Sequence, residues 1–251
     1  MKLLKMLPSI ITLGNLLCGF LAIAYISDGY LIPAAWFIFL GMICDMLDGK
    51  VARLTKGCSD FGEQLDSLSD MVTFGVAPAF LTQSFIVQNS SCFSPFVGWL
   101  LCLPFVLCAA CRLARFNVET EQDESSHLYF KGLATPAAAG VLASLILCSQ
   151  FLTQYLPMHY YQVIVAMNAI LLSVLMVSNI PYIHMGIQLL KNKRPVYILS
   201  ILLFLIVMIG FKLNLLVTII MIAFTSYAYA SPIVCLFQND EKETVPNSES
   251  I

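Results

Sequence analysis

Residues 45–70 read DMLDGKVARLTKGCSDFGEQLDSLSD, a polar stretch that joins two of the most apolar segments of the chain. Asp45 and Asp48 stand three positions apart, and Asp66 and Asp70 stand four apart. Side chains at these separations are neighbours on one face of an α-helix. If both segments are helical and pack together, their four carboxylates meet. The stretch therefore predicts a helical hairpin with one shared acidic cluster.

An acidic cluster in an apolar protein needs compensation, because ionisable side chains in a membrane are costly unless paired, hydrated or bound to an ion. Hard cations such as Mg²⁺ bind carboxylate oxygens together with phosphate and water. Four carboxylates suit two such ions, an arrangement that stabilises the attacking and leaving oxygens in phosphoryl transfer. We therefore expect two divalent ions, Mg²⁺ or Mn²⁺. The alternative is a water-exposed helix-loop-helix whose acidic side chains are merely solvated.

The composition predicts a membrane protein. The chain has 251 residues, of which 59% are hydrophobic and 11% are charged, whereas about 25% of residues are charged in soluble domains. A helix needs about 20 mostly apolar residues to span a bilayer. On this criterion we expect an all-α bundle of eight spans, at 8–27, 31–54, 61–87, 94–115, 135–154, 159–180, 196–211 and 214–237. A charged loop is expected at 117–132, and no basic patch suggests nucleic acid.

The distribution of lysine and arginine predicts the orientation, because these residues concentrate on the cytoplasmic side of membrane proteins. With eight spans and the N-terminus inside, every lysine and arginine except Lys212 falls at or near the cytoplasmic face. We therefore expect the acidic stretch to open to the cytoplasm.

The stretch at 45–70 resembles the signature of the CDP-alcohol phosphatidyltransferases at every fixed position. That signature reads Asp, two residues, Asp-Gly, two residues, Ala-Arg, eight residues, Gly, three residues, Asp, three residues, Asp. The resemblance implies that an alcohol displaces CMP at the lipid-linked phosphorus of a CDP-linked lipid. It also implies Asp45, Asp48, Asp66 and Asp70 as metal ligands, with Asp70 placed to take the proton of the attacking hydroxyl.

The resemblance further implies a site for the CDP-linked lipid. Its expected residues are Asn15, Gly49, Ala52, Arg53, Ser59 and Gly62. Arginine suits a pyrophosphate because its guanidinium binds phosphate oxygens bidentately. The small residues permit close approach of a base, or alternatively ordinary packing between helices. Ser59 is also expected to cap the third span, and Ser9 departs from the asparagine usual in the family.

Four further stretches resemble the membrane-embedded phosphatidylserine synthases of bacteria and archaea. They are DSLSDMVTFGVAPA at 66–79, CRLARFN at 111–117, FKGLATPAAAG at 130–140 and LMVSNIPY at 175–182. Thr73, Ala134 and Asn179 depart from the usual serine, proline and basic residue. The resemblance implies CDP-diacylglycerol and L-serine as substrates, a bacterial or archaeal inner or plasma membrane, and a homodimer.

Serine presents a carboxylate that requires cations or amide donors. Arg112, Arg115 and Asn117 are the candidates, although the positive-inside rule alone also places arginine there. Asp60, Glu63 and Thr73 are the candidates for the ammonium group. The expected organisation is a six-helix catalytic core at 1–185, a transmembrane hairpin at 186–237 and a disordered acidic tail at 238–251.

Two alternatives remain at the level of the sequence. A phosphatidylglycerophosphate synthase would share the signature but use an acceptor that carries a phosphate and needs more cations. A cation transporter would also contain intramembrane carboxylates. The position of Arg53 between the two Asp pairs, at the membrane surface, disfavours the transporter.

Overall fold

The computed structural model describes residues 2–55, 59–88, 93–122, 129–183 and 217–230. The helices are α1 (Lys2–Ser27), α2 (Leu31–Thr55), α3 (Asp60–Asp70), a π-helical segment (Met71–Val76), α4 (Ala77–Val87), α5 (Pro95–Gln122), α6 (Thr135–Leu152), α7 (Met158–Val177) and α8 (Val217–Ala230). Two short strands, β1 (Tyr129–Lys131) and β2 (Pro181–Ile183), pair antiparallel.

The predicted helical membrane architecture is confirmed. Within the described ranges, six helical stretches are long and apolar enough to cross a membrane, and they coincide with the first six predicted spans. The third runs unbroken from Asp60 to Val87 through α3, the π-helical segment and α4. The predicted seventh span at 196–211 and the acidic tail at 238–251 lie outside the described residues, and α8 is the described part of the eighth.

A tight turn folds α1 back on α2. Gly29 has a φ of +83°, a left-handed conformation that glycine adopts without steric cost. The backbone N–H of Tyr30 donates to the carbonyl of Tyr25 at 2.8 Å, which closes the turn. The two helices then run side by side, which places Thr12 of α1 against Asp48 of α2.

The third span changes its winding directly after Asp70. Backbone bonds in a π-helix reach five residues back, and here the N–H of Ala77 donates to the carbonyl of Val72. Phe74 and Gly75 of this segment are buried. The wider turn lies between the acidic α3 and the mainly apolar α4.

Helix α6 lies at the centre of the bundle. Its side chains are buried from Ala137 to Ser149 without interruption, and small residues at 137–140 let neighbouring helices approach closely. The Phe224 ring of α8 fills the space beside Gly140, where an added Cβ would lie 2.3 Å from the ring. This burial contrasts with α1 and α5, whose large exposed side chains form an apolar outer surface.

The predicted loop at 117–132 is wrong over part of its length. Helix α5 continues to Gln122, because residues 117–122 contain no glycine or proline to end it. Beyond the helix, β1 leads into Gly132, whose φ is +80°. The Gly132 N–H donates to the carbonyl of Ile180 at 2.9 Å. An added Cβ at Gly132 would lie 2.5 Å from the carbonyl oxygen of Met176, so only glycine fits.

Candidate active site

Helices α2 and α3 bring the signature carboxylates together. One oxygen each from Asp45, Asp48 and Asp66 lies within 4.8 Å of the other two. Asp70 lies one helical turn beyond Asp66 and within electrostatic range of the other three. The Asp45 and Asp48 pair of α2 therefore faces the Asp66 and Asp70 pair of α3.

Two polar side chains of α1 hold the carboxylates in place. The Thr12 hydroxyl donates to Oδ2 of Asp48 at 2.8 Å, and the Asn15 amide donates to Oδ1 of Asp70 at 3.0 Å. All four side chains are buried. Each contact holds one oxygen of its carboxylate, so α1 fixes the orientation of Asp48 and Asp70.

Helix α1 is in turn fixed by hydroxyl groups on the third span. Ser69 donates to the carbonyl of Thr12 at 2.8 Å, and Thr73 donates to the carbonyl of Asn15 at 2.9 Å. Thr73 is fully buried, and its side chain touches the positions of Gly19 and Gly41. Its hydroxyl therefore joins the third span to α1, and its contact with the ammonium group of serine stays a prediction.

The cluster fits a divalent cation. Oδ1 of Asp66 is buried and has no hydrogen-bond partner, although a buried charged oxygen is strongly unfavourable without one. A hard cation satisfies such oxygens, and carboxylates are its preferred protein ligands. The convergence of three carboxylates with an unsatisfied oxygen therefore suits a bound cation better than it suits the protein alone.

Apart from the buried Asn15, the residues expected at the CDP-linked lipid lie near the end of α2 and the start of α3. Gly49 is exposed, and an added Cβ there would meet nothing within 4 Å. Arg53 is exposed, with Nε donating to the carbonyl of Gly49 at 3.0 Å. Ser59 caps α3 by accepting from the N–H of Gly62 at 3.1 Å, which confirms the predicted cap, while Ala52 is half-buried.

Arg112 is the arginine of α5 that faces the cluster. It lies within electrostatic range of Asp70 and Asp45. One guanidinium nitrogen donates to the Thr135 hydroxyl at 3.2 Å, and the guanidinium lies 5.3 Å from the centre of the Phe116 ring. These contacts hold a positive charge beside the carboxylates without neutralising any one of them.

The other two residues proposed for serine bind neighbouring elements. Arg115 donates to the carbonyl of Val177 at 3.0 Å and to Oδ1 of Asn179 at 3.4 Å. The Asn117 amide donates to the hydroxyl of Ser67 at 2.9 Å. Both contacts join α5 to other parts of the bundle, so the structure separates them from Arg112.

Three polar residues of the site were assigned no role from the sequence. The spacing of Thr12 and Asn15 indicates a shared helix face, but not that Thr12 binds Asp48. Thr135 lies in a quoted stretch without any pattern that points to Arg112. Tyr227 of α8 lies within electrostatic range of Arg112, and no sequence motif marks it because the contact joins residues more than 100 positions apart.

Six apolar helical stretches and a buried acidic cluster suited to a divalent cation define an integral membrane protein with a phosphoryl-transfer type of site. The family model of the CDP-alcohol phosphatidyltransferases matches residues 5–180. The chain therefore belongs to the CDP-alcohol phosphatidyltransferase family.

Curated relatives narrow the comparison. The chain is 36% identical over 178 residues to the CDP-diacylglycerol–serine O-phosphatidyltransferase of Bacillus subtilis, covering 71% of this chain and 90% of the relative. It is 36% identical over 183 residues to the Helicobacter pylori protein of the same name, covering 71% and 72%. The archaetidylserine synthase of Methanothermobacter thermautotrophicus is 38% identical over 178 residues, covering 70% and 69%.

Proposed function

We propose that the protein is a CDP-diacylglycerol–serine O-phosphatidyltransferase that makes phosphatidylserine and releases CMP. The structural observation that carries this proposal is the convergence of Asp45, Asp48 and Asp66 beside Asp70. Serine as the acceptor is supported by the names of the relatives, one of which is an archaetidylserine synthase.

In the proposed reaction, the serine hydroxyl oxygen forms a bond to the phosphorus that bears diacylglycerol. The bond from that phosphorus to the bridging oxygen of the pyrophosphate breaks, and CMP leaves with that oxygen. Asp70 takes the proton of the hydroxyl. A general base must reach the hydroxyl that it deprotonates, and the contact from Asn15, which fixes the orientation of Asp70, supports this assignment.

We propose that Asp45, Asp48, Asp66 and Asp70 hold two divalent ions, Mg²⁺ or Mn²⁺. Such ions supply charge neutralisation of the pyrophosphate oxygens when bound. The role of Thr12 is to hold Asp48 in the orientation that faces this site. The unsatisfied Oδ1 of Asp66 supports the assignment.

The substrates are assigned to opposite sides of the cluster. Gly49 and Arg53 are exposed, which supports a role of Arg53 in binding the pyrophosphate and of the open space at Gly49 in admitting the nucleotide. We assign Ala52, Ser59 and Gly62 to the same lipid-linked nucleotide site. Arg112 lies on the α5 side and binds the serine carboxylate. Arg115 and Asn117 support this pocket through their contacts with α7 and α3.

The same proposal includes the cellular location, the domain organisation and the oligomeric state of the enzyme. The site faces the cytoplasm of a bacterial or archaeal cell, where nucleotide-activated lipid and serine are available. The catalytic core spans residues 1–185, with residues 186–237 as an added hairpin, and two copies of the chain form a homodimer.

The test is incorporation of labelled acceptors into lipid by the purified full-length protein. The protein is incubated with CDP-diacylglycerol and Mg²⁺ or Mn²⁺, and with labelled serine, glycerol 3-phosphate or inositol phosphate in turn. We expect label from serine alone in the lipid, stoichiometric CMP release, and loss of both with excess EDTA. Label from glycerol 3-phosphate without label from serine would make the protein a phosphatidylglycerophosphate synthase.

A further inference from the structure

Helix α8 is fixed on the catalytic bundle by contacts from several elements. The Tyr229 hydroxyl donates to Oδ1 of Asn168 in α7 at 2.6 Å. The ring of Phe224 lies 5.7 Å from the ring of Phe39 in α2 and fills the space beside Gly140. These contacts hold α8 against α2, α6 and α7 together, although α8 lies outside the 5–180 range of the family model.

The β2 strand fixes the C-terminal end of α8. Tyr182 is fully buried, and its hydroxyl donates to the carbonyl of Ala228 at 3.1 Å. Its ring also lies 6.0 Å from the ring of Tyr227, at an interplanar angle of 55°. The position of Tyr227 is therefore set on both sides, by its helix and by the ring of Tyr182.

Tyr227 lies within electrostatic range of Arg112, as do Asp70 and Asp45. Phe224, which precedes Tyr227 by three residues, packs beside Gly140 of α6. Arg112 donates to the hydroxyl of Thr135, the first residue of the same helix. The packing of α8 on α6 therefore brings Tyr227 to the end of the bundle that holds Arg112.

A tyrosine phenol suits this place because it can accept a hydrogen bond from a guanidinium and also donate its own hydrogen. A carboxylate that binds Arg112 presents an oxygen for that second bond. The phenol would then orient the arginine and recognise the carboxylate, while adding no charge to a site that already contains four aspartates.

We propose that α8 completes the acceptor pocket and that Tyr227 is a positioning residue, which orients Arg112 for the carboxylate of the acceptor. This inference rests on the proposed function, since it takes serine as that acceptor. It assigns the segment beyond the family core a direct part in acceptor recognition.

The test compares Tyr227→Phe with Tyr229→Phe, which removes the other phenol of the same helix. For Tyr227→Phe we expect KM for serine to rise about tenfold, the effect of one hydrogen bond to a charged group, with kcat and KM for CDP-diacylglycerol unchanged. Tyr229→Phe should leave KM for serine unchanged. A structural role alone would lower kcat and thermal stability in both variants.

A double-mutant cycle with Arg112→Lys identifies the partner. If Tyr227 acts through Arg112, Tyr227→Phe should raise KM for serine much less in the lysine background, because residues in contact are not additive. An unchanged KM for serine in Tyr227→Phe, in a protein whose wild type uses serine, would overturn the inference. A wild type that does not use serine would instead overturn the proposed function.

Discussion

Among the described aspartates of the acidic cluster, Asp66 has a buried oxygen without a hydrogen-bond partner. Asp48 accepts from Thr12 and Asp70 accepts from Asn15, whereas Oδ1 of Asp66 is buried without a partner. A hydrogen bond to a carboxylate reduces the cost of its burial. Asp66 therefore depends more than Asp48 and Asp70 on a bound cation to stabilise its buried charge.

We expect Asp66→Asn to weaken Mn²⁺ binding by about 100-fold or more, since loss of even an outer-shell partner costs 10- to 100-fold. Mn²⁺ binding to the purified protein is measured by electron paramagnetic resonance, without substrate. The matched control is Asp60→Asn, an exposed acid at the start of α3, which should bind Mn²⁺ as the wild type does. Equal Mn²⁺ affinity in Asp66→Asn and wild type would remove Asp66 from the metal site.

Two glycines of α2 are expected to respond differently to alanine. At Gly41 an added Cβ would lie 2.5 Å from Cγ2 of Thr73 and 2.9 Å from Oδ1 of Asn15. Overpacking of this kind costs about 1–3 kcal/mol. At Gly49 the added methyl meets nothing within 4 Å, and alanine is favoured over glycine within a helix by about 1 kcal/mol.

We therefore expect Gly41→Ala to lower Tm and Gly49→Ala to preserve or raise it, measured by thermal unfolding in detergent. Gly49→Ala should instead raise KM for CDP-diacylglycerol, because the methyl occupies space assigned to the nucleotide. A Gly49→Ala enzyme with wild-type KM for CDP-diacylglycerol would show that the nucleotide does not approach there.

At the scale of elements, the first six spans could be predicted because each has an apolar run of sufficient length. The Ser59 cap and the facing of the Asp pairs follow from local spacing, which sequence displays directly. By contrast, the pairing of β1 with β2 joins Tyr129 to Ile183 across more than 50 residues. No periodicity in either three-residue strand indicates such a contact.

The site also has contacts that the sequence predicts and contacts that it does not. The aspartates of the acidic cluster belong to one continuous stretch of sequence, so their convergence could be predicted. The contacts from Asn15 to Asp70 and from Arg112 to Thr135 depend on how separate helices pack. Residues such as Thr73 and Asn117 are polar and close to the signature, yet their side chains join helices instead of facing the cluster.

At the scale of the whole molecule, the cations of the spans lie at one end of the bundle. Lys50, Arg53, Arg112 and Arg115 all belong to the end that holds the acidic cluster. The connections between the six described spans at the opposite end, 28–30, 88–94 and 153–157, contain no lysine or arginine in the sequence. The positive-inside rule then favours a cytoplasmic position for the cluster.

We expect a cysteine introduced for Ser59 to face the cytoplasm and one introduced for Ser94 to face the other side. Each is placed in a variant whose native cysteines are replaced and whose activity is retained. A membrane-impermeant maleimide added to intact spheroplasts should label Ser94→Cys, and inside-out vesicles should label Ser59→Cys. The reverse pattern would place the site on the external face.

The π-helical segment at Met71–Val76 has a consequence for the chain length of the third span. A π-turn contains more residues than an α-turn, so the span holds a surplus that a regular helix would lack. Because each residue of a π-turn turns the chain by a smaller angle than in an α-turn, the surplus residue is absorbed without misaligning the helix on either side. Deleting one residue there would let the helix regularise and would keep the Asp66 and Asp70 face aligned with α4. Rewinding the segment as a regular α-helix at its full length would instead rotate that face by about 100° relative to α4 and misdirect it, although every side chain of the cluster is retained.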